Sequence, residues 1–515
     1  MENPFKPITR RQLLARAGAV MGTGLLLPSQ LTAGVTRLKN LPNQVTGDAA
    51  GSIVFTHTTV VSGDANRAPM KDVALAIQGN QIAAIGQTSA VLKQFPDAEV
   101  VDGSRKALMP GLINCHAHLS AAVARGFNED FGFPNRAGLK VSPESLMSSE
   151  ERALMSVIAA LHSIRCGTTT VMEYTSRIMS EASELSKTGL RWVFAEGVND
   201  RVGGAVMSPE VLAASSTPQF SEKMRNDGLQ RVEDLFSKWH GKNNGCIQVF
   251  PAVIHTENAS GELLKAIRSL AEKHEVGYTI HLNQTHAEVN YMMKYHKVRP
   301  SAYLDKHDFL GPQLVAAHAR YVDENEIALL GKAKTIISHQ AAMAANRGVN
   351  PPIPTLREAG CPICLGTDNN NNDMFAVMKV AMLTERILRN DEHPGMLPQP
   401  EDILQDATRG GALAIHQQES LGMLEVGRKA DLIVLDTQKA HLVPSGRILS
   451  AWMHNGQPSD VESVMVDGQF IMRDHKILTV DEDAIIAEAA KVGKRIWDQV
   501  EKANPVVPPG RKGWK

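Results

Sequence analysis

At 515 residues the chain is long for one compact core, so its length favours a large domain with a smaller companion. With 43% hydrophobic and 21% charged residues it has ample material for a core, and a formal net charge of -1 gives no basis for binding a polyanion or an acidic membrane surface. Only 5% of residues are aromatic, which argues against a base-stacking platform, so no nucleic-acid partner is expected.

The N-terminus reads as a targeting segment. Thr9-Arg10-Arg11-Gln12-Leu13-Leu14 carries paired arginines, Ala17 to Leu27 is a short, mildly apolar run containing glycine, and Pro28 ends it. This is similar to a bacterial twin-arginine signal, so residues 1–46 are assigned to signal and linker and export to the periplasm is expected. A basic amphipathic helix is the plainer alternative. Beyond this segment no run of about 20 apolar residues exists, so no span is expected in the mature protein.

From 47 to 107 the text is short strands and turns: Ile53-Val54-Phe55, Val73 to Ile77, Ile82 to Ile85 and Val100-Val101. A similar register returns within 416–480, at Ala430 to Leu435 and Val461 to Val466. Two β-rich flanks around a long middle predict one small β-sandwich domain made from both, with 481–515 a C-terminal helix and tail.

The middle, 108–415, alternates strand and helix. It opens with Leu112-Ile113-Asn114-Cys115-His116-Ala117-His118-Leu119, an apolar run behind the turn signal Met109-Pro110-Gly111. Side chains alternate along a strand, so His116 and His118 share a face and can hold one ion if other ligands complete the shell. Further strands are read at Thr168 to Val171, Trp192 to Ala195, Ile247 to Phe250, Tyr278 to His281, Leu314 to His318, Thr335 to Ser338 and Ile363 to Gly366. Helical patterns such as Glu150 to Arg165 and Glu262 to His274 separate most of them. Eight strands in this alternation predict an α/β fold, a closed (β/α)8 TIM barrel whose chemistry sits at the carboxyl ends of the strands. A doubly wound open sheet is the alternative, but the Gly-rich phosphate loop it needs is missing.

On that barrel His116, His118, His281, His318 and Asp368 all fall at strand ends facing one mouth. Singly, each histidine has a plainer reading as a hydrogen-bonded core residue and Asp368 as a helix cap; five together point to a metal site. The five cysteines are an odd number spread through apparent strands and read as buried thiols. Cys361-Pro362-Ile363-Cys364 has redox spacing but runs straight into a strand.

Pro110 to Leu119 with Arg125-Gly126 resembles the metal-binding signature of the amidohydrolase superfamily. The resemblance continues through Cys166 to Thr170, His281 to Glu288, Ala316-Ala317-His318, Ile337-Ser338-His339 and Leu365 to Asp368, and closes with Leu421 to Val434. Among its branches the chain is most similar to the cytosine deaminase, S-adenosylhomocysteine deaminase and triazine hydrolase group. The resemblance implies one divalent ion, zinc with iron as the alternative, bound by His116, His118, His281 and Asp368. Asp368 would also take a proton from the attacking water, and His318 would orient the attacking oxygen. The fourth strand, Cys246 to Val253, lacks the lysine that binuclear relatives carry, so one metal is expected and not two.

One departure is informative. The fifth strand of the deaminases reads His-x-x-Glu, and here that position is Gln284, an amide that cannot cycle a proton near neutral pH. His286 and Glu288 are the neighbours that could substitute, with solvated loop residues as the alternative reading. A leaving group that needs less protonation suits Gln284 better. The expected activity is therefore hydrolysis of a C–N bond, in an amide, carbamate, urea or heteroaryl substituent, of a small nitrogen-containing molecule. Deamination of an aminated N-heterocycle is the alternative, and a homologue that binds metal and ligand without turnover is the second. His255 and His339 are read as pocket lining, Asn369 to Asp373 as a polar loop, and a homo-oligomer as the commonest state for such a chain.

Overall fold

Two sheets contain all the strands of the computed structural model, which describes residues 51–504 apart from 132–138, 207, 370, 394 and 396. The signal assigned to 1–46 lies outside the described residues. Among these, no helix is long and apolar enough to cross a membrane.

The first sheet begins with β1 (Ser52–Val60), β2 (Met70–Gln78), β3 (Gln81–Gly86), β4 (Glu99–Asp102) and β5 (Lys106–Pro110). The barrel strands follow: β6 (Leu112–Ala117), β7 (Thr168–Thr175), β8 (Arg191–Val198), β9 (Ile247–His255), β10 (Tyr278–Leu282), β11 (Leu314–His318), β12 (Ile336–His339) and β13 (Ile363–Leu365). The chain then returns to the first sheet with β14 (Leu432–Asp436), β15 (Val461–Val466), β16 (Gln469–Arg473) and β17 (Lys476–Ile477).

The two flanks meet where β5 pairs antiparallel with β14, Met109 opposite Ile433 and Leu108 opposite Val434. Phe55, Leu75, Ile77, Ile82, Leu108, Leu432, Val434 and Met465 come from six strands of this one sheet yet share a single core cluster, so the sheet curls over on itself. That is how a period-2 pattern at both ends of the chain yields one small domain. Arg191, the first residue of β8, ties it to the barrel through a buried two-pronged pair with Asp431 (Nε–Oδ2 3.0 Å, Nη2–Oδ1 2.9 Å).

In the second sheet β6 to β13 are parallel and in chain order. Helices cover their outer faces, so β8, β10, β11, β12 and β13 are buried at every position, and most of their residues are apolar on both faces. Helix α1 (Ser149–Arg165) starts at a Ser148/Glu151 capping box, and α2 (Gly261–Lys273) at Ser260, whose hydroxyl accepts the Leu263 N–H.

The seam between the last and first strands is closed by few bonds. The Asp368 N–H donates to the His116 carbonyl (2.9 Å) and the His118 N–H to the Asp368 carbonyl (3.3 Å). Inside the seam the Asn114 amide donates to Thr367 Oγ1 (2.8 Å) and its oxygen accepts the Thr367 N–H (3.1 Å). Gly366 is required here: a Cβ would lie 2.9 Å from both the backbone nitrogen and oxygen of His116.

Candidate active site

His116 points inward from β6, and His118 sits just beyond it at the start of the next turn. The His116 ring centroid lies 4.8 Å from those of both His118 and His281, and 5.5 Å from that of His318. His281 belongs to β10, His318 ends β11, and Asp368 follows β13 by three residues. Ligand atoms of His116, His281 and His318, and again of His116, His118 and Asp368, lie within 4.8 Å of one another. The structure therefore brings all five predicted residues to one mouth.

Hydrogen bonds set the tautomers. His118 Nδ1–H donates to the Tyr174 carbonyl and His281 Nδ1–H to the Ile254 carbonyl, both at 2.6 Å. A carbonyl can only accept, so each Nε2 is left with its lone pair, and the two Nε2 atoms face one another at 3.2 Å. Burial holds His116 and His281 well below the usual histidine pKa, which keeps them neutral. Both ring nitrogens of His116, Nε2 of His318 and Oδ2 of Asp368 are buried without a hydrogen-bond partner. Buried polar atoms are ordinarily paired, so the facing lone pairs of His118 and His281, the one acceptor nitrogen of neutral His116 and the unpaired Asp368 Oδ2 around one point fit a cation.

The backbone is strained where the site is built. His318 (φ +83°), Asp368 (φ +62°) and Asn283 (φ +49°) occupy the left-handed region without being glycine, at a cost of about 1–3 kcal/mol each.

The acid half of the mouth is arranged differently. Gln284 is buried, with Oε1 3.1 Å from Nε2 of His255, the last residue of β9, whose ring lies 4.7 Å from that of His281. Glu288 lies in helix α3 (His286–Tyr295), and its two oxygens accept the N–H groups of Asn283 (3.1 Å) and Gln284 (2.6 Å). Burial and the nearby Glu257 carboxylate raise its pKa well above the usual range. Glu288 therefore supports the loop that carries Gln284, and its proton-accepting oxygens are both engaged. His286 is exposed on the same first turn, its ring tilted at 43° against Tyr321 with centroids 3.8 Å apart. The two neighbours expected to stand in for the missing acid are thus an exposed ring, His286, and a carboxylate bonded to two backbone amides, Glu288.

Thr285-His286-Ala287-Glu288 carried the signal for this outcome. It is a capping-box pattern: Thr285 Oγ1 accepts the Glu288 N–H (3.1 Å), and the carboxylate reaches back past the cap.

His339 ends β12, buried, its pKa pushed down to about 3 by burial and by Arg320 and Arg357. In the polar loop, Asp368 Oδ1 accepts the Asn369 N–H at 2.7 Å, a local turn bond. Cys361 and Cys364 are buried free thiols, and burial lifts Cys361 to about 11, which disfavours a reactive thiolate at that end of the pair. Sequence reasoning missed Asn114, the staple of the seam, and Arg320, which donates to His318 Nδ1 at 3.4 Å. Both had a signal, since a polar residue inside an apolar strand and a charge two positions past a strand-end histidine are exceptions to their surroundings.

Eight parallel strands with buried histidines and an aspartate converging at their carboxyl ends define a barrel hydrolase of the metal-binding kind. The chain belongs to the amidohydrolase family, whose model matches residues 107–471. It is similar to the 5'-deoxyadenosine deaminase of Methanobrevibacter smithii, 29% identical over 450 residues that make up 85% of this chain and 98% of that protein. It is also similar to the 5-methylthioadenosine/S-adenosylhomocysteine deaminase of Pelotomaculum thermopropionicum, 28% identical over 86% of this chain and 99% of that protein. Among solved structures, a zinc-bound adenosine deaminase from Xanthomonas campestris superposes with a TM-score of 0.74 at 22% identity, over 87% of this chain and 99% of that one. The zinc complex of an atrazine chlorohydrolase from Arthrobacter aurescens gives 0.75 at 20%, over 86% and 100%. These structures share the fold. The family makes the chain a hydrolase of carbon–nitrogen bonds other than peptide bonds.

Proposed function

We propose that the protein uses one divalent ion, zinc, to hydrolyse a C–N bond in a small nitrogen-containing molecule whose leaving nitrogen departs without a carboxylic acid from the fifth barrel strand. The observation that carries this reading is Gln284, an amide fixed by His255 where the resemblance calls for a proton shuttle. His116, His118, His281 and Asp368 would hold the ion, which when bound supplies the Lewis acidity that brings the pKa of water toward neutrality. Asp368 Oδ2, unpaired and buried in the cluster, accepts the proton that the attacking water gives up. His318 receives a hydrogen bond at Nδ1 from Arg320, a group that can only donate, so its proton sits on Nε2 and can be donated to an oxygen at the reacting carbon. Gln284, its oxygen taken by His255, offers amide N–H groups that position the substrate and transfer no proton.

A second reading, deamination of an adenine-type ring, is supported by the names of the relatives, deaminases of 5'-deoxyadenosine and of methylthioadenosine or S-adenosylhomocysteine. It requires another acid. Export through the twin-arginine-type segment 1–46, and action in the periplasm, belong to the same proposal.

The test is metal content together with a panel of aminated heterocycles, amides, carbamates and ureas, comparing wild type with Gln284→Glu. Cleavage of acyl–nitrogen bonds with one metal per chain supports the main reading. Ammonia release from a ring amine that Gln284→Glu does not improve overturns the use made of Gln284. Metal binding with no turnover of any compound would leave a ligand-binding homologue.

A further inference from the structure

The C-terminal helix α4 (Glu482–Ala503) lies along α1 and is pinned there at two places. At its start Arg165 Nε donates to Glu482 Oε1 (2.6 Å). Farther on, Arg495 Nη2 donates to Glu151 Oε1 (2.6 Å) and the Trp497 indole N–H to the Val123 carbonyl (2.8 Å). One stripe of the helix, Ile485, Val492, Ile496 and Val500, is buried. Beside that stripe a groove of about 540 Å³ opens between α4, α1 and the turn Leu119–Ala124 that leaves His118.

The walls of the groove are apolar: Met155, Ile158 and Leu161 from α1 face Ile486, Ala489 and Ala490 from α4. Ile486 is 47% exposed, so part of this apolar surface is uncovered. Gly493 keeps the groove wide. It lies inside the helix, where glycine weakens the structure, and no close approach calls for it, since a Cβ there would meet nothing within 4 Å.

The charges lining the groove do not cancel. Glu482 is taken by Arg165, and His162 is kept neutral near physiological pH by burial and by Arg125. Arg125 is exposed in the groove, and its guanidinium has no hydrogen bond or ion pair among the described residues. The nearby Glu129 carboxylate accepts the Gly126 N–H instead (2.7 Å). A slot of this volume suits a small molecule, and pins on either side leave no room for a helix about 10 Å across. An apolar slot with one unopposed guanidinium fits an aliphatic chain that ends in a carboxylate.

We propose that this groove binds a medium-chain alkyl carboxylate, its head on Arg125 and its chain against Ile486, Ala489 and Gly493. The site lies apart from the histidine cluster and does not depend on the reaction there.

The experiment is calorimetric titration of the metal-loaded protein with octanoate, with butyrate, which keeps the head and shortens the chain, and with 1-octanol, which keeps the chain and removes the charge. Octanoate is expected to bind tenfold or more tightly than either. Arg125→Gln should bring octanoate down to the level of octanol, with Arg125→Lys recovering part of the loss. Gly493→Leu, which fills the slot from a position with free space, should weaken octanoate and octanol alike by tenfold or more, and it carries the comparison if Arg125→Gln fails to fold. Octanoate no tighter than butyrate or octanol, or an affinity untouched by both substitutions, overturns the proposal. Binding that appears only after removal of residues 505–515 overturns it too and gives the groove to the chain's own tail. Co-sedimentation with phosphatidylglycerol vesicles without measurable octanoate binding overturns it in favour of a membrane surface.

Discussion

Two buried carboxylates of this barrel, Asp368 and Glu288, are nearly equal in exposure and opposite in use. Asp368 gives one oxygen to its neighbour's N–H and keeps the other unpaired among histidines. Glu288 spends both oxygens on the N–H groups of Asn283 and Gln284. Burial alone therefore says nothing about whether a carboxylate does chemistry; the free lone pair does. Asp368 is held by strained backbone at the seam, and Glu288 relieves a loop that would otherwise leave two amides unpaired.

Substitutions at each corner sharpen the contrast. Asp368→Asn keeps the shape and removes the base, and kcat should fall by about 10²- to 10⁴-fold while the unfolding midpoint of the metal-free protein hardly moves. A small kinetic loss with metal content unchanged would break the comparison from the Asp368 side. Glu288→Ala should do the opposite, costing about 2–4 kcal/mol in urea unfolding because two buried N–H groups lose their acceptors. Loss of the chemical step with stability intact would make Glu288 a proton carrier after all. Asn114→Ala, which cuts the seam staple, is expected to cost about 1–3 kcal/mol and to lower metal affinity with it, since Asp368 and His116 are joined through the same seam. Unchanged metal affinity, read by competition with a chelating dye, would separate seam from site.

The smallest effect concerns pH. His339 has a folded pKa of about 3 against an ordinary 6.5, so its contribution to stability is complete above 6.5 and is lost as pH falls toward 3. Between pH 6.5 and 5 that amounts to about 2 kcal/mol, at about 1.4 kcal/mol per pH unit. His339→Gln should flatten the acid limb of the stability profile by that much, and an unchanged slope would reassign the acid sensitivity to the cluster histidines.

What could be read from the sequence divides along the same line. The strands were legible because both faces of each are covered, leaving apolar runs that end in His116, His281 and His318. Asp368 was legible from Gly366-Thr367-Asp368-Asn369 once the strand count placed it at the same mouth. The acid half was not legible. A helix cap that turns Glu288 back onto the Asn283 and Gln284 amides and leaves His286 on the surface is decided by the φ of Asn283 and the packing of one turn, which linear order does not show. Arg320 escaped notice although it lies two positions past His318, because linear order does not say that its guanidinium turns back onto that ring.

The seam also sets an order of events. Asn114 and Thr367 are 253 residues apart in the chain, yet their pairing completes the sheet and carries Asp368 to His116 and His118. Until the eighth strand docks, the first offers only two imidazoles, a grip too loose to discriminate among ions. The complete set of five candidate ligands therefore exists only once the ring is shut, so a barrel opened at this seam would lose its metal-binding geometry before it lost its strands.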